Sequence, residues 1–304
     1  MVDSSGPPSG TPGPFVPSTR GARRTRRVGS RRRFRRRRLL FVTGSTGFVG
    51  RHVVAGPASS TWELIAPPSR SLDLTRRASV LDAIGDWRPD AVLHLAYRKG
   101  DRRVIVDGTR HVAEAAAASR ARLVHVSTDL VFPGGPAPFD ESDALRPIID
   151  YGVDKRDAED VVAAIDPGAA IVRTSLVYGT DRLSPAQVDL RDQLRSPARS
   201  TAFAHFTDEF RCPVHAADLA AALVEVAARP DLTGPLHVAG PELIDRHDLA
   251  VRFARHLGLE RRVGAIRAGT IASSGLVRPG RIELAVGRAA SVGITCRPIS
   301  SVLP

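Results

Sequence analysis

Tyr151 and Lys155 stand four residues apart in Tyr151-Gly152-Val153-Asp154-Lys155, and Glu159, Val162 and Ile165 continue the segment at helical spacing. Both side chains therefore fall on one face of a helix. An ammonium beside a phenol stabilises the phenolate and lowers its pKa. A tyrosine tuned in this way exchanges a proton with a carbonyl or hydroxyl oxygen near neutral pH. The spacing alone is common, and its meaning comes from what precedes it. The run Leu123-Val124-His125-Val126-Ser127-Thr128-Asp129 reads as a strand with a polar end. Ligands of open parallel sheets sit at the carboxyl ends of strands, so Thr128 and Asp129 are further candidates. The same residue types also leave strands as ordinary turn residues.

A second constellation lies earlier. Leu39-Leu40-Phe41-Val42 reads as a buried strand, and Phe48, Val49, Val53 and Val54 recur at helical spacing. Between them runs Gly44-Ser45-Thr46-Gly47-Phe48-Val49-Gly50, a G-x-x-G-x-x-G loop at a strand-to-helix turn. Such a loop suits a dinucleotide pyrophosphate. One glycine makes the tight turn, one admits backbone N–H groups to the phosphates, and one lets the helix pack close to the strand. The spacing differs from G-x-G-x-x-G, and an ordinary strand–helix turn is the competing reading. The second strand, Trp62-Glu63-Leu64-Ile65-Ala66, runs into Pro67-Pro68-Ser69-Arg70 with no acid to accept ribose hydroxyls. Arg70 and Ser69, with Arg51 beyond the last glycine, suit a 2′-phosphate, so NADP is expected over NAD. A solvated loop arginine is the plainer reading of Arg70. Asp73 and Leu74 follow in a short segment placed to pass the adenine.

The remaining elements form a frame for these residues. Helices are expected over 78–87, 104–119, 217–228 (with Asp218 near its start) and 244–257, and further strands over 91–96, 169–174 and 236–240. Residues 131–147 read as a loop, 179–210 as an insertion over the sheet edge, and the chain beyond 261 as short strands or loops. Short apolar strands alternating with helices give an α/β, Rossmann-type doubly wound parallel sheet.

The composition fits a globular chain of 304 residues with 42% hydrophobic residues. No apolar run approaches a membrane span. Cys212 and Cys296 are far apart, and no histidine falls in a metal-ligand pattern. A reducing, cytoplasmic compartment and no metal are expected. The net charge of +12 is concentrated at one end, where residues 1–38 hold twelve arginines against Asp3. Residues 1–37, rich in Gly, Pro, Ser and Arg, read as a disordered basic tail. Nucleic acid could be a partner only through that tail, and a solvated tail or a start codon placed too early is the favoured reading of it. An export signal is rejected because the apolar stretch breaks at Gly44.

With these residues in place, the chain from about residue 38 onward resembles the extended short-chain dehydrogenase/reductase superfamily. Within it, the chain is most similar to dTDP-4-dehydrorhamnose reductases and their sugar-nucleotide-binding relatives. The likeness rests on Thr43-Gly44-Ser45-Thr46-Gly47-Phe48-Val49-Gly50, Leu72-Asp73-Leu74, Val126-Ser127-Thr128-Asp129-Leu130-Val131-Phe132, Tyr151 to Lys155, Arg173-Thr174-Ser175-Leu176-Val177-Tyr178-Gly179 and Pro213 to Ala220. The resemblance implies a Rossmann core over 38–175. It also implies a mixed region over 176–304 that completes the sheet at about 213–240 and forms a smaller substrate-binding domain.

The reaction implied is reduction of a 4-keto group on a nucleotide-linked deoxysugar by NAD(P)H. Gly44 to Val49 would hold the pyrophosphate, Asp73 and Leu74 the adenine side, and Leu95, Ala96 and Tyr97 the cofactor wall. Tyr151 would donate the proton, with Lys155 on the nicotinamide ribose, while Thr128, Asp129 and Leu176 would face the sugar. Relatives often pair through the helix carrying the tyrosine and lysine, so a homodimer is an expectation. Leu130, Leu176, Ile105 and His94 depart from the family pattern, the first two replacing aromatics and the others asparagines. Two alternatives share the resemblance: a nucleotide-sugar epimerase or dehydratase, and a non-catalytic subunit like the regulatory subunit of methionine adenosyltransferase.

Overall fold

The strand β1 (Arg38–Thr43) alternates its burial, with Leu40 and Val42 entering one core and Phe41 another. Five further strands repeat this two-sided pattern: β2 (Trp62–Ile65), β3 (Ala91–His94), β4 (Arg122–Thr128), β5 (Ala170–Thr174) and β6 (Gly234–His237). All neighbours are parallel, in the order β2-β1-β3-β4-β5-β6. The order reverses between β1 and β3, and a crevice opens at such a point, beyond the strands' carboxyl ends. The structure, a computed structural model, describes residues 37–56, 61–196 and 204–304. The expected basic tail lies outside these apart from Arg37.

Helices cover both faces of the sheet. On one side α1 (Phe48–Ala55) and the alanine-rich helix Ala216–Ala228 pack on Leu40, Val42, Leu93, Val124, Val172 and Leu236. On the other, α2 (Arg77–Trp87), α3 (Gly108–Ala118) and α4 (Asp150–Ile165) pack on Phe41, Val92, Leu123 and Ile171. Each fully buried aliphatic side chain contributes about 1.5–3 kcal/mol of transfer free energy, so alternation along the strands specifies both layers. A third core joins Tyr178, Leu190 and Leu194 to Leu249, Phe253, Ile299 and Leu303. Among the described residues no helix is long and apolar enough to cross a membrane.

Several elements depart from expectation. Residues 179–210, read as an insertion over the sheet edge with few strong signals, contain a helix at Pro185–Arg195. Its signal was present: Ser184 and Gln187 form a reciprocal capping box with Pro185 in the first turn. The third strand stops at His94, so Leu95 and Ala96 leave the sheet. A π-helical turn, Arg103–Asp107, precedes α3. Ile244 and Asp245 form a short antiparallel pair with Phe210 and Arg211 before the helix Arg246–His256.

Two contacts fix α4, the helix of Tyr151 and Lys155. At its start, a Cβ on Gly152 would lie 2.1 Å from the Leu130 carbonyl oxygen, so only glycine admits the helix this close to the end of β4. Further along, the fully buried Glu159 carboxylate receives Arg173 Nε at 3.0 Å and Nη2 at 2.9 Å, tying α4 to β5. Arg173 also donates to the Glu141 carbonyl at 3.2 Å. Removing one partner of such a pair strands a buried charge. Glu159→Ala is therefore expected to lower unfolding free energy by about 3–5 kcal/mol in urea titrations. A loss within the scatter of exposed ion pairs would mean that the pair does not anchor α4.

Candidate active site

The glycine loop leaves β1 at Gly44, whose φ of +71° favours glycine. A Cβ there would stand 2.7 Å from the Ala96 amide nitrogen, and one on Gly50 would stand 2.2 Å from the Gly44 carbonyl oxygen. The first glycine thus lets β1 turn against the segment leaving β3, and the last lets α1 pack on the loop. Gly47 begins α1 and donates its N–H to the Gly44 carbonyl at 3.0 Å. Ser45 Oγ lies 3.1 Å from the carbonyls of both Ala66 and Pro67, joining the loop to the end of β2. Arg51 folds back, its Nε donating to the Thr46 carbonyl at 2.8 Å.

Beside the loop opens a cleft of about 430 Å³, lined by Gly44, Pro67, Ser69, Asp73, Leu74, Ala96, Tyr97 and Arg103 among others. Asp73 is held by the Thr75 amide at 2.9 Å and hydroxyl at 2.7 Å, bonds that lower its pKa. Arg70 is exposed, next to Ser69. The cradle and cleft fit a dinucleotide: two glycines leave space that side chains would fill, and the cleft lies at the switch point.

Behind the cleft the sheet carries a row of polar residues that sequence reading noted only in part. Register aligns Thr43 with His94 and His94 with His125. Thr109 Oγ1 donates to the Ile105 carbonyl at 2.5 Å, which leaves it to accept from His94 Nε2 at 3.0 Å. His94 Nδ1 then accepts from the Thr43 hydroxyl at 2.7 Å, and Thr43 Oγ1 accepts the Ala96 N–H at 3.3 Å. One neutral tautomer of a buried histidine thus positions the backbone facing Gly44. Burial pushes His94 down to about 3.

Tyr151 and Lys155 share the α4 face, as their spacing predicted, but Lys155 spends its hydrogen bonds on β4 and not on the phenol. Lys155 Nζ is buried and turned to β4, donating to the Val126 carbonyl at 2.6 Å and lying 3.2 Å from His125 Nε2. Burial lowers Lys155 to about 8, opposed by Glu159. Burial raises the Tyr151 phenol, reinforced by Tyr97 and Asp129. The expected lowering of that phenol by Lys155 is thus corrected: desolvation governs it and favours the protonated form. Tyr97, 58% exposed, links the cleft to this tyrosine with ring centroids 5.9 Å apart. Ile105 is buried in a cluster with Val106 and Ala158, against which Tyr151 packs.

Thr128 ends β4 with its hydroxyl donating to Asp129 Oδ1 at 3.2 Å and accepting from the Leu130 amide at 3.3 Å. Asp129 points inward. Its other oxygen receives Ser175 Oγ at 2.6 Å and lies 3.7 Å from Arg211 Nε. Burial raises its pKa against the pull of Arg211. Arg211 and Arg278 both meet the buried Glu209, which links Asp129 to the segments after residue 204. Sequence reading missed this network because its charges are scattered over 150 residues. Leu176 packs into the third core. Among the described residues no group of His, Cys, Asp or Glu is arranged to hold a metal ion.

A glycine cradle at a switch point, with a tyrosine and lysine on the helix after β4, defines the extended short-chain dehydrogenase/reductase class. The chain belongs, more narrowly, to the RmlD substrate binding domain family, whose model matches residues 37–298. It is 32% identical over 218 residues to dTDP-4-dehydrorhamnose reductase of Sinorhizobium fredii, covering 66% of this chain and 72% of that protein. It is 28% identical over 240 residues to methionine adenosyltransferase 2 subunit beta of Bos taurus, covering 71% of each. A solved dTDP-4-dehydrorhamnose reductase of Bacillus anthracis, in complex with NADP, shares the fold with a TM-score of 0.74 at 23% identity, covering 86% of this chain and 94% of that one.

The buried His94 predicts acid sensitivity. Its folded value of about 3 lies below the ordinary 6.5, so the unfolded chain takes up the proton first. Its contribution is complete above pH 6.5 and falls by about 1.4 kcal/mol per pH unit below that, until the folded value is reached. Urea unfolding at pH 7 and pH 5 should show the loss, with a smaller one in His94→Asn. An equal loss in the variant would show that His94 does not titrate this way.

Proposed function

We propose that the chain is an NAD(P)H-dependent oxidoreductase that reduces the 4-keto group of a nucleotide-linked deoxysugar. The observation that carries this reading is the position of Tyr151, on the α4 face it shares with Lys155 and beside Tyr97 of the cleft wall. Reduction of a carbonyl adds a proton at oxygen as hydride reaches carbon, and Tyr151, a protonated phenol beside the cleft-wall residue Tyr97, is the candidate acid for that step.

The loop of Gly44, Ser45, Thr46, Gly47, Phe48, Val49 and Gly50 would hold the pyrophosphate, and the cleft wall of Asp73, Leu74, Ala96 and Tyr97 the adenosine half. A bound nicotinamide supplies the hydride. Tyr151 gives its hydroxyl proton to the carbonyl oxygen. Thr128 turns its hydroxyl from Asp129 to the same oxygen, which Asp129 permits because Ser175 and Arg211 continue to hold its other side. Lys155, with two N–H groups committed to β4, offers the third to the ribose. The region 176–304 would supply the sugar-binding wall, beginning at Leu176. NADP is preferred over NAD on the chemistry of this chain: Pro67-Pro68-Ser69-Arg70 after β2 holds no acid, Ser69 and Arg103 line the cleft, and the exposed Arg70 next to Ser69 is available to a 2′-phosphate.

The match to methionine adenosyltransferase 2 subunit beta favours a second reading, a cofactor-binding subunit without turnover. Retention of Thr128, Tyr151 and Lys155 supports the reductase.

Tyr151→Phe is expected to reduce turnover of a 4-keto deoxysugar nucleotide by about 10²–10⁴-fold while NADPH affinity, read by fluorescence titration, changes little. Unchanged turnover would remove Tyr151 from the chemistry. Arg70→Ala should weaken NADPH binding far more than NADH binding, and equal weakening would contradict the NADP preference.

A further inference from the structure

Of the 44 lysines and arginines in the sequence only Lys99 and Lys155 are lysine. Lys99 is exposed and Lys155 is buried. A buried ammonium carries three donors and requires acceptors. Two are present, the Val126 carbonyl at 2.6 Å and His125 Nε2 at 3.2 Å. Because an ammonium can only donate, His125 must accept at Nε2 and carry its own proton on Nδ1. That second nitrogen is buried and has no hydrogen-bond partner.

Packing alone gives no reason for an imidazole here. The positions above it on the same sheet face, Val92 and Leu123, are filled by aliphatic side chains. The neighbouring His94, 5.3 Å away between ring centroids, has both nitrogens satisfied by threonines. The half-satisfied imidazole is accounted for by the one bond it does make. We propose that His125 is a positioning residue for Lys155, its Nε2 lone pair holding the ammonium charged and on β4 while the third N–H stays available to a ligand. This rests on the reading of Lys155 as part of the reduction site.

The other groups facing Lys155 do not replace this acceptor. Glu159, one turn on, is spent on Arg173. Tyr151, one turn back, is a protonated phenol without a bond to the lysine. His94 on β3 is committed to Thr43 and Thr109, and Asp154 on α4 to Arg102 at 2.7 Å. Burial already lowers Lys155 to about 8, so losing an acceptor for the charged form must lower it further.

The test is NMR titration of Lys155 in the full chain carrying 13C,15N-lysine, with Lys99→Arg leaving a single signal. The wild-type midpoint should fall near 8, His125→Asn, which keeps an acceptor oxygen, should stay close to it, and His125→Leu should move down by about one unit or more, a tenfold change. If His125→Leu does not fold, His125→Phe removes the same acceptor within a ring of similar size. The alkaline limb of kcat/KM for reduction should move with the NMR midpoint and return in His125→Asn. An unchanged midpoint in the Leu or Phe variant would overturn the proposal. A midpoint that moves while the rate profile stays fixed would support the role of His125 and contradict that of Lys155 in the reaction.

Discussion

A parallel sheet covered by helices on both faces keeps water from its interior, so a polar side chain that enters is costly unless it meets another. In this chain that constraint falls on one row across the carboxyl ends of the strands, Thr43, His94 and His125. Thr109 and Lys155 reach that row from the helix side. One set of hydrogen bonds joins β1, β3 and α3 through His94, and a second joins β4 and α4 through Lys155. A neutral His94 sets the Ala96 amide through Thr43, and Ala96 is the wall that requires glycine at residue 44. The loop suited to phosphates and the helix suited to proton transfer are therefore braced by two neighbouring sets of buried hydrogen bonds, whose imidazoles lie 5.3 Å apart between centroids.

The second brace is steric and ionic. Gly152 brings α4 against the Leu130 carbonyl, and the Glu159–Arg173 pair locks the other end of the helix to β5. Tyr151 stands directly before Gly152, and its ring is bounded by Tyr97, Ile105, Val106 and Ala158. An apolar setting raises the proton affinity of the phenol. That setting keeps the phenol protonated but weakens it as an acid, so the proposed role of Tyr151 as proton donor rests on its place beside Tyr97 and the cleft.

Much of this was legible in the residues. The six strands and the helices on both faces followed from apolar runs and helical spacing, because burial on two faces leaves a strong periodic signal. The glycine loop was legible because Gly44 and Gly50 occupy places where a Cβ cannot fit. The helix Pro185–Arg195 was missed although Ser184 and Gln187 announced its start. The orientation of Lys155 was not legible, since spacing along a helix fixes the face but not which acceptor the ammonium finds. Nor was the inward turn of Asp129, whose partners Ser175 and Arg211 are distant in sequence. Both depend on contacts between elements, which local patterns do not carry.

The chain is similar both to reductases and to a subunit of another enzyme, so the central claim is that it performs hydride transfer. The most direct measurement incubates the purified protein with 4-deuterated NADPH and dTDP-4-dehydrorhamnose and locates deuterium in the product by mass spectrometry and NMR. The reductase reading predicts deuterium at C4 of the sugar in stoichiometry with cofactor oxidised, lost in Tyr151→Phe. Tight NADPH binding with no label transferred to this or any other 4-keto sugar nucleotide would contradict it and favour a cofactor-binding subunit.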